Sequence, residues 1–306
     1  MQVTRRTVLQ AALATMVAAL QPAWVLRAIE DSLVMKPIPS TGERIPVVGL
    51  GSSVTFNVGE DPMLLDECAA VMAAFFAAGG RMIDCSPMYG SSQPTIGSGL
   101  NKLGYPRALF SAEKVWTANS ASGPAQIERS RAFWGVSRFD LVQVHNLLAW
   151  ERHLQTLFAM KANGALRYVG ITTSHSRRHR EIEHVMATQP IDFVQVTYNV
   201  LDREVEARIL PLARERGIAV IANRPFRQGH LIRQIEHHSL PHWVAETGAS
   251  TWAKFILKFI VSHPAVTCAI PATTRVDHVR ENMTAAMGIL PDATLRRRMA
   301  AYVAQL

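Results

Sequence analysis

Short apolar, β-branched runs recur along the chain at regular intervals: Val47–Leu50, Arg81–Cys85, Ala108–Val115, Asp140–Val144, Tyr168–Thr173, Phe193–Val196, Ile218–Ala222 and Val266–Ile270. Runs of this length and composition predict strands. Between them lie longer segments whose apolar positions return at helical spacing, such as Pro62–Ala78, Trp150–Ala162, Val205–Arg216 and Ala249–Val261. Gly79-Gly80 and Gly217 stand where helix C-termini favour glycine. Eight strands alternating with helices predict an α/β fold, a (β/α)8 TIM-type barrel. The interval from Ala222 to Val266 is longer and holds His230–His242 as an extra connection. A doubly wound open sheet is the competing architecture. It calls for a Gly-x-Gly-x-x-Gly turn after the first strand, and Gly49-Leu50-Gly51-Ser52-Ser53 stops short of one.

The pattern breaks down before residue 31. Arg5-Arg6 precedes a mostly Ala/Leu/Val stretch from Val8 to Leu26, interrupted by Gln10, Gln21 and Pro22. This suits a secretory signal better than a stable membrane span, and it resembles a twin-arginine export signal. A soluble helix with two solvated arginines is the alternative. The expected division is a signal segment at 1–30 and one barrel domain at 31–306. The expected location is periplasmic or otherwise exported, with the N-terminal segment able to hold the protein at a membrane if uncut. A cytoplasmic location follows if the signal does not function.

The apolar content of 48% is enough for a full core. The net charge of +8 raises the question of nucleic acid. The basic residues are scattered, as in Arg177-Arg178-His179-Arg180 and Arg296-Arg297-Arg298, without interleaved aromatics, so solvated helix surfaces are expected and no nucleic-acid partner. Cys68, Cys85 and Cys268 are an odd count without metal-ligand spacing, which predicts buried free thiols and no metal site.

Three successive strand ends carry candidate chemistry. Asp84 closes one strand, with Tyr89 in the loop beyond it. Lys114 and His145 end the next two runs. Taken singly, each has an ordinary structural role open to it. In a parallel barrel those ends converge on the face where chemistry is done.

The segments Asp84–Gly90, Glu113-Lys114-Val115, Leu141–His145, Gln195–Asn199, Ile270-Pro271 and His278–Asn282, in this order, resemble the landmarks of the aldo-keto reductases. The resemblance runs from Ile45 to the last helix. It implies a nicotinamide-dependent reductase of a small-molecule carbonyl, with a catalytic quartet of Asp84, Tyr89, Lys114 and His145. Carbonyl reduction needs a proton on oxygen as hydride reaches carbon. In the implied scheme Tyr89 gives that proton, the ammonium of Lys114 shifts the phenol downward, Asp84 balances Lys114, and His145 orients the carbonyl. The resemblance further assigns Thr172, Thr173 and Gln195 to the nicotinamide amide, Arg275 and His278 to the adenosine-side phosphate, and Glu281 and Asn282 to the adenine.

Several positions depart from the family pattern. Ala222-Asn223-Arg224-Pro225-Phe226 stands where Tyr-Ser-Pro is frequent, so a stacking ring is missing, and Arg224 is a candidate cofactor contact in its place. Ala272 replaces a lysine that in some members grips the 2′-phosphate. NADP(H) is therefore expected, with NAD(H) as the alternative. Gln93 replaces a frequent Glu. Met88, Trp116, Asn146, Trp150 and Phe226 are candidates for the mouth, which suggests an apolar or aromatic carbonyl. Two other function classes fit: an exported nucleotide-binding redox sensor or partner subunit with little turnover, and a cofactor-free barrel lyase or isomerase.

Overall fold

The computed structural model of the protein describes residues 33–306; the expected export signal lies outside them. A short antiparallel hairpin comes first, with β1 at Met35–Pro37 and β2 at Arg44–Pro46. Eight parallel strands follow: β3 Leu50–Gly51, β4 Met82–Asp84, β5 Phe110–Val115, β6 Phe139–His145, β7 Leu166–Thr172, β8 Phe193–Thr197, β9 Ala219–Asn223 and β10 Val266–Ala269. Each pairs with its sequence neighbour in one continuous sheet. Parallel bridges from Val48 to Ala269 and from Gly51 to Ala272 join the first strand region to the last. The fold is the (β/α)8 barrel.

That seam explains Gly49-Leu50-Gly51. The Gly49 amide donates to Ala269 O at 2.8 Å and the Gly51 amide to Pro271 O at 2.9 Å. A Cβ at Gly51 would lie 2.9 Å from Ile270 O, and one at Gly49 would lie 3.0 Å from Met82 O. The glycines permit strand closure rather than nucleotide approach.

The barrel interior follows the two-residue period of strands. Its lower layer packs Met82, Phe110, Leu141, Tyr168, Phe193 and Ile221, and the hairpin's Ile38 and Ile45 plug that end. The Lys36 ammonium fastens the plug, donating to Val261 O, His263 O and Val266 O at 2.8, 2.7 and 2.6 Å. Burial lowers the Lys36 pKa to about 8. The one hydroxyl in this layer, that of Tyr168, is taken up at the plugged end by Thr41 at 2.8 Å and Glu43 at 2.7 Å.

The helices form the outer ring: α1 Pro62–Ala77, α2 Ser92–Lys102, α3 Gly123–Trp134, α4 Trp150–Ala162, α5 His179–Thr188 and α6 Ile209–Arg216, then α7 His230–Ile235, α8 Trp252–Val261, α9 Val276–Thr284 and α10 Ala293–Val303. Asp61 caps α1, its Oδ1 accepting from the Met63 and Leu64 amides at 2.9 and 3.2 Å. This satisfies two of the donors a helix start leaves open. The extra connection in the long interval supplies α7.

Two sequence expectations change. Val205–Arg216 is not one helix: a 3-10 turn at Glu204–Glu206 precedes α6. Pro211 lacks the amide that a continuous helix would need there. Arg296 is not a solvated surface charge, since it lies on the inward face of α10 with Met299, Ala300 and Val303 and is only 9% exposed. Its guanidinium sits over the Phe259 ring, 4.7 Å from the centroid, and donates to Phe259 O at 3.1 Å and Glu206 Oε1 at 3.2 Å. Arg297 and Arg298 are exposed as expected. The three cysteines are free and buried.

Candidate active site

At the C-terminal end of the barrel the inward positions turn polar. Asp84 ends β4, Lys114 lies near the end of β5, and Gln143 and His145 end β6. Lys114 Nζ donates to Asp84 Oδ2 at 2.5 Å and to Cys85 O at 2.7 Å. The other Asp84 oxygen accepts from Gln143 Nε2 at 3.2 Å and Gln195 Nε2 at 2.8 Å. Asp84 and Lys114 are both sealed from solvent. A buried ion pair of this kind persists only when its remaining hydrogen-bonding capacity is used. Here two neutral amides and a carbonyl supply that capacity. Burial works against the Lys114 charge, but Asp84, Tyr89 and Glu113 outweigh it and hold the ammonium well above the ordinary lysine range.

Tyr89 rises from the β4–α2 loop over this pair. Lys114 Nζ is 5.2 Å from the Tyr89 ring centroid, and the His145 ring stands edge-on to Tyr89 with centroids 5.8 Å apart. The structure therefore gathers Asp84, Tyr89, Lys114 and His145 at one mouth. One expectation is corrected. The Tyr89 phenol is shifted upward rather than downward, because burial outweighs the pull of Lys114 and Asp84 opposes that pull. An ammonium paired at 2.5 Å acts on its surroundings more as a dipole than as a free charge. The phenol is thus held in its protonated form, as a proton donor must be before it acts.

His145 is 6% exposed, and its pKa is lowered to about 3 by burial first and by the Lys114 charge second. The neutral imidazole contributes stability that is present above the unfolded value near 6.5 and lost as pH falls toward 3. Unfolding midpoints in urea are expected to drop on acidification from pH 7 to 4.5, with His145 responsible for roughly 2–3 kcal/mol. A His145→Asn variant that kept the whole of that acid sensitivity would exclude the assignment. Directly after His145, the backbone enters the left-handed region at Asn146, Leu147 and Ala149, with φ of 53°, 54° and 49°. Leu147 is buried, so packing holds this unfavourable turn in place.

Glu113 points the other way, between the sheet and the helices. Its Oε1 accepts from the Lys114 amide at 2.8 Å, and its Oε2 accepts from Gln93 Nε2 at 2.8 Å and Trp134 Nε1 at 2.9 Å. Burial raises its pKa to about 7 against these donors. A glutamate at 93 would set a second carboxylate beside Glu113, which accounts for glutamine at that position.

The cofactor candidates divide into two groups. Thr172, Thr173 and Gln195 are buried at the mouths of β7 and β8. Thr172 Oγ1 donates to Gln195 Oε1 at 3.0 Å, so a continuous hydrogen-bond chain runs from Thr172 through Gln195 to Asp84. Gln195 keeps a second amide proton and a second lone pair, the donor and acceptor that a carboxamide requires. The Thr173 hydroxyl accepts from the His175 amide at 3.2 Å and so serves its own turn. Asn223 ties the strand ends together, its Oδ1 accepting from Thr197 Oγ1 at 2.8 Å and its Nδ2 donating to Thr173 O at 3.3 Å. Beside it opens a cleft of about 430 Å³ whose lining includes Ser174, Ser176, Arg224 and Arg227 together with two carboxylates, Asp202 and Glu204. Arg227 is engaged by Asp202, whereas the exposed Arg224 side chain has no partner among the described residues. Arg227 offsets Asp202, so Arg224 is the guanidinium of this cleft open to an anion such as a diphosphate, with the Glu204 carboxylate as an opposing charge.

Arg275 is the N-cap residue of α9, and His278, Glu281 and Asn282 lie along that helix. Arg275 is paired with Asp277 at 3.0 and 2.5 Å, so a phosphate would compete with a carboxylate for it. The His278 Nδ1 lies 3.4 Å from Thr273 Oγ1. Glu281 is half-buried and Asn282 buried. At the rim, Met88 and Trp116 are exposed, and Asn146, Trp150 and Phe226 are half-buried. Sequence reasoning missed Gln143 and Ser86. Gln143 could have been found as the polar residue two before His145, hence on the same strand face.

The Aldo/keto reductase family model matches residues 47–298. The chain belongs to the aldo/keto reductase family. It is an oxidoreductase of that family. Among curated relatives, it is 25% identical over 275 residues to the methylglyoxal reductase YeaE of Escherichia coli, covering 88% of this chain and 95% of the relative. It is 24% identical to an NADH-specific methylglyoxal reductase of the same organism, covering 87% and 98%. Two solved aldo/keto reductases share its fold. One is from Klebsiella pneumoniae, in complex with NADP and acetate, with a TM-score of 0.72 at 22% identity over 86% of this chain and 93% of that one. The other is AKR11C1 from Bacillus halodurans in its holo form, with a TM-score of 0.72 at 18% identity over 89% and 96%.

Proposed function

We propose that the protein reduces a small aldehyde or ketone with NADPH, using Tyr89 as the general acid. The observation that carries this reading is the sealed Asp84–Lys114 pair beneath the Tyr89 ring, with the neutral His145 beside it. Buried charges without water are costly, and this arrangement is useful where a phenol must release a proton and then carry the resulting charge. The nicotinamide, when bound, supplies hydride to the carbonyl carbon. Tyr89 passes its proton to the carbonyl oxygen, so that aldehyde or ketone becomes alcohol. Lys114 stabilises the phenolate left behind, and Asp84 keeps Lys114 in place and charged. His145 holds the carbonyl oxygen toward Tyr89. Thr172 and Gln195 would hold the carboxamide, and Arg224 with the serines of the neighbouring cleft the diphosphate.

Methylglyoxal reductases among the relatives support a small dicarbonyl as the first substrate to try. Ala272, Arg275 and His278 bear on the choice between NADPH and NADH. The test is a fluorescence titration with each nucleotide, followed by turnover with methylglyoxal and an aromatic aldehyde. NADPH is expected to bind more tightly than NADH and to be consumed in step with alcohol formation. Neither nucleotide binding would remove the reading. Tight binding without turnover would favour a nucleotide-holding redox subunit.

A further inference from the structure

His145 can orient a carbonyl only if the nitrogen facing the mouth carries the proton, and a neighbour outside the quartet determines which nitrogen that is. His145 Nδ1 lies 2.7 Å from Ser86 Oγ. Ser86 is fully buried in the turn between Asp84 and Tyr89. Its Oγ already accepts from the Met88 amide at 3.1 Å. A hydroxyl has one proton to give, and among the described residues His145 Nδ1 is the one acceptor within reach of Ser86 Oγ. If Nδ1 instead carried the proton and donated to Oγ, the Ser86 hydroxyl proton would be left buried without an acceptor, a costly arrangement. The opposite ring nitrogen, Nε2, has no protein partner among the described residues and is not sealed from solvent.

We infer that Ser86 is a positioning residue for the reductase site: its hydroxyl donates to His145 Nδ1 and thereby fixes the imidazole as the tautomer protonated at Nε2, the one able to donate to a substrate oxygen. The inference rests on the carbonyl-reductase reading for its purpose but not for its geometry. The backbone binds the serine from one side through the Met88 amide, and the turn that places Met88 also places Tyr89, whose amide donates to Ser86 O at 3.0 Å. Donor tautomer and proton donor are therefore set by one turn. With Ser86→Ala, Nδ1 loses its donor, the two tautomers become comparable, and a share of the molecules presents a lone pair to the carbonyl oxygen.

The test is nitrogen-15 NMR of histidine-labelled full-length protein, with His145 signals identified by their absence in His145→Gln. The wild type is expected to show a protonated Nε2 and an unprotonated, hydrogen-bonded Nδ1. Ser86→Ala is expected to mix or invert that pattern and to lower kcat about 10-fold or more with little change in KM. Ser86→Thr, which keeps the hydroxyl, should restore the wild-type pattern and most of kcat. A wild-type spectrum with the proton on Nδ1, or Ser86→Ala retaining both tautomer and kcat, overturns the inference. If Ser86→Ala does not fold by circular dichroism, the wild-type spectrum decides alone. A wild type inert toward carbonyls but protonated at Nε2 removes the reductase reading and leaves the tautomer assignment intact. An active wild type protonated at Nδ1 does the reverse.

Discussion

Tyr89→Phe is expected to reduce carbonyl turnover by ~10²–10⁴-fold, the range for losing a positioned general acid, while leaving the fold and nucleotide affinity intact. The Tyr89 hydroxyl makes no hydrogen bond among the described residues, so its removal strands no partner. Its ring, which packs against His145 and beside Lys114, is kept by phenylalanine. Stability should therefore change by less than ~1 kcal/mol, as for substitutions that break no buried partnership. The wild-type rate should be steady across neutral pH, since burial holds the phenol protonated above its ordinary value. Single-turnover measurements with saturating NADPH test both points. A variant that keeps its rate would move the proton to another group.

Lys114→Met has the second large effect, on stability as well as rate. It removes the one cation that touches Asp84 among the described residues and leaves a carboxylate sealed in the barrel with two amides. Breaking a buried pair by deleting one partner costs about 3–5 kcal/mol. Replacing both charges can be close to neutral. Asp84→Asn/Lys114→Met is therefore expected to regain most of the lost stability, because an asparagine oxygen still accepts from Gln143 and Gln195. Activity should remain absent in both variants. Urea unfolding of the two variants beside Asp84→Asn closes the cycle. Equal destabilisation of single and double variants would mean that the pair's charges do not interact as the 2.5 Å contact requires.

The barrel and the quartet were legible in the sequence for the same reason. Strand alternation fixed where each run ends, and in a parallel barrel the ends share a face, so Asp84, Lys114 and His145 could be placed together before any distance was known. What the sequence did not disclose depends on neighbours distant along the chain. The β1–β2 hairpin is too short to carry a period, and its role as a plug appears only when Ile38 and Ile45 meet the barrel's lower layer. Arg296 looks like its two neighbours, and its burial follows from the position of Phe259 and Glu206 across the fold. The upward shift of Tyr89 turns first on how deeply the phenol is buried and then on how far Asp84 compensates Lys114, both matters of ångströms. Gln93 read as a departure until Glu113, on the outer face of β5, gave it a partner. Ser86 stood within the motif from the start, yet only its distance to Nδ1 gives it a task.

Transfer of label from nucleotide to product tests the site's chemistry most directly. NADPH deuterated at the transferable position of the nicotinamide would be mixed with excess protein and methylglyoxal, and the alcohol analysed by mass spectrometry. Reduction at this site predicts one deuterium on the former carbonyl carbon, with transfer strongly slowed in Tyr89→Phe. Consumption of the carbonyl with the label still on the nucleotide, or with solvent hydrogen at that carbon, would contradict it.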